Sequence, residues 1–558
     1  MLPGAVKTRP KQLWERLTDK VGGPARLRVV LLLAGVLSLA SADAGTIGAV
    51  ALQLEKAFRI DNTEVGLLIT VSSLVGAAVA LPVGALADRS NRVRMLIVTI
   101  ALWAASMVAS GLSSGYVMLL CTRLLLGMVA AAAAPLTASL TGDLFPAKER
   151  SRIYSMVLTG ELLGAGVGLV LSADVADAAG WRAPFFILAV PSLALCYAIY
   201  RLLPEPARGG QSWLQIGAQH IVAAEEIDEC ASSPNAPNAP LGGTATSGMA
   251  APPPAAASEL RQRARRRPDI GVRRRLVINE NPANMALPRA TWYVLRIPSN
   301  LVLIGTSVLG YFFLAGLRSF AVIFTESHYQ LSQAMVPFVL VPIGAGAVVG
   351  TLFGGRIADA LIQRNRLDAR MLVPGISLIL AAALFAPALV STLFISMPLY
   401  ALAATFLSAP NPALDAARLD IVPSRLWGRG EAVRTFARSI LEAFAPLVFG
   451  YLSSVFGGPH ASFGSGVRSG GRVSSVSLAE SHGLEDTFLV MLLPLVLSGV
   501  TLLFARRPYL RDVATADESE RIAWPANVCP TPRRRRLVSL RAGNTAEGLP
   551  SRSAYEPE

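Results

Sequence analysis

Charge is what this chain has little of. Asp, Glu, Lys and Arg make up 16% of its 558 residues, where a soluble domain carries about 25%. Apolar residues make up 53%, and mean hydropathy is +0.49. That balance argues against a water-soluble enzyme and against disorder over most of the length. Histidine is scarce as well. His220, His328, His460 and His482 have no ligand spacing, so no zinc site is expected. Of the four cysteines, Cys121 and Cys196 lie in apolar runs, and Cys230 and Cys529 lie in polar ones without CxxC spacing. Neither a disulfide framework nor a metal site follows from them. There is no GxxxxGK[ST] phosphate loop for ATP, and no cofactor is expected.

What is abundant is apolar sequence in blocks. A membrane span needs about 20 apolar residues. About twelve blocks come near that length: 29–54, 65–87, 95–112, 116–140, 153–173, 183–203, 300–324, 332–358, 371–390, 394–414, 431–455 and 487–505. The basic start precedes a long apolar run with no convincing A-x-A site, which reads as a first span rather than a cleaved leader.

The net charge of +14 is unevenly placed. Arg and Lys gather before span 1 and after spans 2, 4, 8 and 10, whereas 113–115 is uncharged and 172–180 carries Asp174 and Asp177. By the positive-inside rule both termini are expected in the cytoplasm. The organisation predicted is a cytoplasmic segment at 1–26, a six-helix bundle at 27–203, a Pro/Ala-rich basic linker at 204–291, a second bundle at 292–506 and a tail at 507–558. The linker is expected to be largely disordered and the tail disordered, with a flexible external insert at 457–483. The linker and tail arginines suit anionic lipid better than nucleic acid, or they only enforce topology. Residues 213–226 offer a weak interfacial-helix pattern.

Two motifs recur. Gly84-Ala85-Leu86-Ala87-Asp88-Arg89-Ser90-Asn91-Arg92 is matched by Gly355-Arg356-Ile357-Ala358-Asp359, at an offset of 271 (359 − 88). Asp143-Leu144-Phe145-Pro146 with Arg152 is matched by Asp420-Ile421-Val422-Pro423 with Arg429, at an offset of 277 (420 − 143). A repeat of six spans is a transporter plan with the substrate near mid-membrane at the repeat interface. The expected fold is therefore an all-α membrane protein of about 12 helices in two six-helix bundles related by an internal repeat.

The pattern from Gly84 to Arg92 resembles the signature loop of the major facilitator superfamily, and the resemblance extends over all twelve spans. Within it, Asp43 before Ile47-Gly48-Ala49-Val50, Thr63-Glu64-Val65-Gly66-Leu67 and the stretch 140–151 (LTGDLFPAKERS) are similar to the spinster-like branch. That branch implies transport of amphiphilic lipids, often coupled to protons. The pattern departs from it at Ala44, where the branch has Arg, and at Ala130, where it has Glu.

Gly84 lets helices approach closely, and Asp88 suits the positive N-terminus of another helix. The resemblance implies that this helix is the eleventh, starting near Arg429. Gly84, Asp88, Arg89, Arg92, Arg152, Gly355 and Asp359 then form a candidate cytoplasmic gate, with Arg92 and Arg152 completing an ion-pair cluster, unless the arginines merely mark loops. Ionisable groups inside spans are functional candidates. Asp43 and Arg123 lie at similar depth and form either a coupling pair or a static one. Glu161 and Glu442 lie near mid-membrane and would carry a proton, bind a substrate amine or sit protonated against a neighbouring helix. Arg318 would hold a headgroup or snorkel outward. Arg434 and Arg438 share a helix face and would bind an anion or serve the gate.

The reading is a secondary active transporter in the cell membrane, no enzyme, with a small amphiphilic or lipid-like substrate and protons as partners, no nucleic acid, and a monomeric state. Proton-antiport efflux of drugs or metabolites and a non-transporting receptor on the same fold are the alternatives.

Overall fold

The computed structural model describes residues 18–19, 21–60, 62–208, 214, 217–218, 259–265, 267, 270–280, 282, 285–329, 331, 336–456 and 478–523. Among these there is no strand. The first half comprises α1 (Pro24–Phe58), α2 (Asn62–Arg89), α3 (Arg92–Gly111), α4 (Tyr116–Ala130), α5 (Ala133–Leu144), α6 (Arg150–Ala179) and α7 (Ala183–Leu202). The linker contributes α8 (Glu259–Arg265) and α9 (Leu287–Arg296). The second half comprises α10 (Pro298–Tyr329), α11 (Val336–Gln363), α12 (Ala369–Val390), α13 (Leu393–Ser408), α14 (Pro410–Ile421), α15 (Trp427–Phe456) and α16 (Leu478–Phe504), and α17 (Arg506–Ala523) follows.

Helices α4 and α5 form one rod, as do α13 and α14, so each half has six rods. The breaks have one cause. Pro135 follows the first, and Pro410 and Pro412 follow the second; proline has no N–H for the preceding turn. Eleven segments of the described residues are long and apolar enough to cross a membrane. The twelfth rod, α15, is as long as its neighbours but carries Arg429, Glu431, Arg434, Arg438 and Glu442 in its first half, which lowers its hydropathy.

Small residues let the rods touch. In α6, Gly160, Gly164 and Gly168 recur every fourth residue, and a β-carbon on them would strike Ala34, Ser38 and Ala42 of α1, also spaced by four. In α11, Gly346, Gly350 and Gly354 meet Ala401, Thr405 and Ala409 in the same way. In a bilayer, where burial of apolar surface between helices gains little, such close backbone packing holds helices together.

The halves meet at one end, here called the closed end. There Gly84 of α2 abuts Gly428 and Ala432 of α15, and Gly355 of α11 abuts Ser151 of α6. Ala147 and Tyr154 of the first half join the main apolar cluster of the second. At the other end, the cluster around Trp103, Trp181 and Phe185 contains first-half residues alone.

Two expectations need correction. Residues 506–523 are helical, although the tail from 507 is expected to be disordered. Described parts of the linker are also docked. Tyr509, Val513 and Ala516 of α17 share a buried face. The helix also exchanges polar contacts with the linker. Arg273 pairs with Asp512 at 3.0 Å, the Ile278 N–H donates to Ser519, and Arg261 pairs with Glu520 at 2.7 Å. Each segment satisfies polar groups that the other would leave bare, so neither looks structured alone. Residues 219–258 (including most of the interfacial-helix segment), residues 457–477 of the insert expected at 457–483, and the tail 524–558 lie outside the described residues; the last part of that insert, 478–483, is not loop but the start of α16.

Two predictions follow from this packing. Replacing Gly164 by Val should destabilise the protein by about 1–3 kcal/mol through overpacking against Ser38, read as a fall in melting temperature in detergent. The second concerns Glu520. Burial alone would raise its carboxyl pKa, but Arg261 and the Ser424 N–H together hold it below the ordinary value of 4.5. A depressed carboxyl stabilises fully above its unfolded pKa and loses that contribution as pH falls through the folded one. Proteolytic cutting of α17 should therefore rise below about pH 4.5, and Glu520→Gln should flatten this dependence.

Candidate functional site

The closed end is built on helix termini. The Asp88 carboxylate accepts from the N–H groups of Gly428 (2.8 Å) and Arg429 (3.0 Å), with the Arg429 Nε at 3.5 Å. This is a buried anion on the orphan donors of the α15 N-terminus. Gly84, one turn earlier, permits the approach, because a side chain there would meet the Gly428 carbonyl. The repeat reproduces the device. Asp359 accepts from the Arg152 N–H at the start of α6 at 2.7 Å, and Gly355 sits one turn before it. The expected helix partner of Asp88 is the one found.

The expected arginine cluster is different. Arg92 does not reach Asp88. It binds Asp143, Ser139 and, from the linker, Glu205 and the Pro206 carbonyl. The Arg152 guanidinium makes no hydrogen bond or ion pair with any described residue; only its backbone is engaged, the N–H on Asp359 and the carbonyl by the Ser155 hydroxyl. Besides Arg429 on Asp88, the arginines that bridge the halves are Arg150 and Arg370. Arg370 binds Asp420 and Asp359 within its own half, and reaches the Ala147 carbonyl and Ser151 hydroxyl in the other. Arg150 pairs with Asp420 at 3.4 Å. Arg89 donates to the Met285 carbonyl of the linker at 2.7 Å.

Asp43 and Arg123 do pair, at 3.1 Å. Arg123 also donates to Ser110 and lies over the Phe185 ring. Every partner of this pair among the described residues belongs to the first half.

A second group lies deeper. From Ser151 to Glu161 in α6 is ten residues, and from Gly428 to Arg438 in α15 is ten, each a rise of about 15 Å from the closed end. The two positions are repeat equivalents, offset by 277 (438 − 161) like Asp143 and Asp420. An acid in one half thus faces a base in the other at equal depth. The charges acting on Glu161 come from the second half: Arg438, Asp415, Arg318 and Glu442. Glu161 is half-buried and forms no hydrogen bond or ion pair with a described residue. Arg438 lies over the Tyr311 ring at 4.1 Å and 3.7 Å from Glu442. Arg318 is exposed and likewise without a described ionic partner. Beneath, toward the closed end, Asp415, Arg418, Glu431 and Arg434 form a buried network of two acids and two bases. Arg434 is therefore spent on Glu431 rather than on an anion. No group able to hold a metal ion occurs among the described residues.

The sequence profile of the Major Facilitator Superfamily matches residues 31–376. The chain belongs to the major facilitator superfamily. It is a multi-pass membrane transport protein, and its family and structural neighbours are transporters rather than enzymes. Its fold is similar to that of a bacterial homologue of the human lysosomal transporter Spinster, in inward-facing unoccupied and occupied conformations. Those comparisons give TM-scores of 0.53 and 0.52 at 19% and 18% identity, each covering 88% of this chain and 98% of the other. It is also similar to the human organic anion transporter MFSD10 (TETRAN), with TM-score 0.56 and 16% identity over 86% of this chain and 99% of that one. FucP in its outward conformation gives 0.55 at 12% identity, over 85% and 98%.

In this superfamily member the sequence reading missed Arg150, Arg370, Asp415, Arg418, Glu431 and the roles of Asp143 and Asp420. The repeat carried a signal for the last two, since an acid recurring with its Pro marks a position under one structural demand in both halves. The Arg92–Asp143 and Arg370–Asp420 pairs meet that demand. Nothing in spacing alone foretold that Arg370 would also cross to the first half.

Replacing Asp88 by Asn removes a charged acceptor from two backbone donors, a loss of about 1.5–3 kcal/mol. At 1.36 kcal/mol per decade, a cysteine placed at buried Ala432 should react with a water-soluble maleimide roughly tenfold faster or more. Unchanged reactivity would show that Asp88 does not hold the closed end.

Proposed function

We propose that this chain is a secondary active transporter of the cell membrane that moves a small amphiphilic, lipid-like organic substrate by alternating access, coupled to protons. The closed end carries the clustered arginines, so the positive-inside rule puts it, with both termini, in the cytoplasm. The described state is then open outward. Separation of Asp88 from α15, and of Asp359 from α6, is the inward-opening step.

Glu161 carries the reading. It is an intramembrane carboxyl between the halves, facing cations, with no described partner of its own. An acid so placed takes up a proton when its cationic neighbours recede or are covered by substrate, and releases it when they return. Glu161 thus occupies the role left open at Ala130. Arg438, Arg318 and Glu442 form the opposite wall and bind the polar end of the substrate. Asp43 and Arg123 hold α1 to α4 within the first half. Efflux of cationic drugs or metabolites by proton antiport would use the same carboxyl, and it differs from the lipid reading in what Glu161 exchanges its proton for.

The test is flux in proteoliposomes under an imposed pH gradient, following a labelled lysolipid and a cationic dye in parallel. Gradient-driven lysolipid movement is expected, reduced roughly tenfold or more in Glu161→Gln, equivalent to at least about 1.4 kcal/mol, with downhill exchange retained. Normal gradient-driven transport by Glu161→Gln across the pH range removes the proton role. Dye movement alone selects efflux, and no flux of either overturns transport of these classes.

A further inference from the structure

The seam between α6 and α11 at the closed end carries two arginines that form no ion pair with any described residue. Gly355 touches the Ser151 backbone, and the next residue on each helix is an arginine, Arg356 and Arg152. The charges acting most strongly on Arg152 are Arg356, Glu149, Arg26 and Asp359. Both acids are already engaged. Glu149 is bound by Arg26. Asp359 accepts from the Arg152 backbone N–H and pairs with Arg370. The guanidinium groups of Arg152 and Arg356 form no ion pair with any described residue, and they stand on opposite halves. Two like charges held close without an anion oppose closure of this seam.

The surroundings define what would relieve them. On the same helix stripe as Arg356, Val349, Phe353 and Ile357 are 44%, 53% and 49% exposed, an apolar track facing the bilayer. Toward water, the seam ends at a cavity of about 350 Å³ lined by Lys148, Glu149, Leu260, Arg263, Ile362 and Gln363. Cationic groups at the level of a helix start, with an apolar track on one side and a basic cavity on the other, match an amphiphile with an anionic head. Guanidinium groups bind phosphate oxygens in forked geometry.

We infer that the Arg152–Arg356 seam binds the phosphate of an anionic phospholipid, whose chains lie along Val349, Phe353 and Ile357, and that this lipid bridges the two halves and stabilises the closed end. The site is separate from the Glu161 cleft and stands whether or not the transported substrate is a lipid.

The test uses the full chain in nanodiscs of phosphatidylcholine, with or without phosphatidylglycerol. The melting temperature should be higher with phosphatidylglycerol. The Arg152→Gln/Arg356→Gln double variant should lose most of that rise while melting at or above the wild-type temperature in phosphatidylcholine, where the repulsion between the two arginines is gone. Arg366→Gln, at the same end but off the seam, should keep it. If the double variant does not fold, Arg356→Gln alone, altering a partly exposed side chain, should lose part of the rise. The inference fails if phosphatidylglycerol gives no rise, if the rise survives in the seam variants, or if Arg366→Gln abolishes it equally, which would mean diffuse electrostatics. Inorganic phosphate added to the phosphatidylcholine sample should not reproduce the rise; if it does, the seam serves soluble phosphate and the lipid assignment is overturned.

Discussion

A buried carboxylate on the start of a helix is the interaction on which the rest of this structure depends. Asp88 is 3% exposed and would be costly there without strong partners. Its partners are the Gly428 and Arg429 N–H groups, which lack acceptors within their own helix. Each side thus resolves a deficit of the other, but only when the halves are together. Asp359 on the start of α6 repeats the arrangement. Two such contacts, placed by Gly84 and Gly355, fix which faces of α2, α15, α6 and α11 meet, and so fix where the Glu161 cleft lies above them.

The rods and their order were legible because hydropathy and charge each report on a single demand, crossing a bilayer and choosing a side of it. The gate carboxylates were legible because the repeat exposes them twice. Arg123 pairs with Asp43 as expected, but Arg92 and Arg152 do not complete a cluster on Asp88, because a helix end in sequence says how deep a residue lies but not which neighbour it faces. Arg92 turned to Glu205 and Arg152 offered only its backbone. The tail helix was illegible for another reason. Its stability comes from pairs such as Arg261 with Glu520, whose members are separated by a long linker and look like ordinary surface charge.

The repeat is also where the halves differ most usefully. Equivalent backbone positions carry Glu161 and Arg438, so the fold's internal symmetry places opposite charges face to face at one depth. The buried quartet of Asp415, Arg418, Glu431 and Arg434 below them belongs to the second half and has no counterpart in the first, where Tyr154 occupies the position equivalent to Glu431. Here the second half therefore presents a network of paired charges, and the first presents Glu161.

The distance along the chain between Asp88 and its partner has a consequence for synthesis. Gly428 lies 340 residues after Asp88. At about 5–20 residues per second, that carboxylate waits on the order of 20–70 s for its partner to be made. Before that interval ends, both members of the Arg92–Asp143 pair are made, as are α1 and the α6 glycines that pack against it. The contacts internal to the first half are thus available before its one raw edge is covered, and the arrival of α15 closes it.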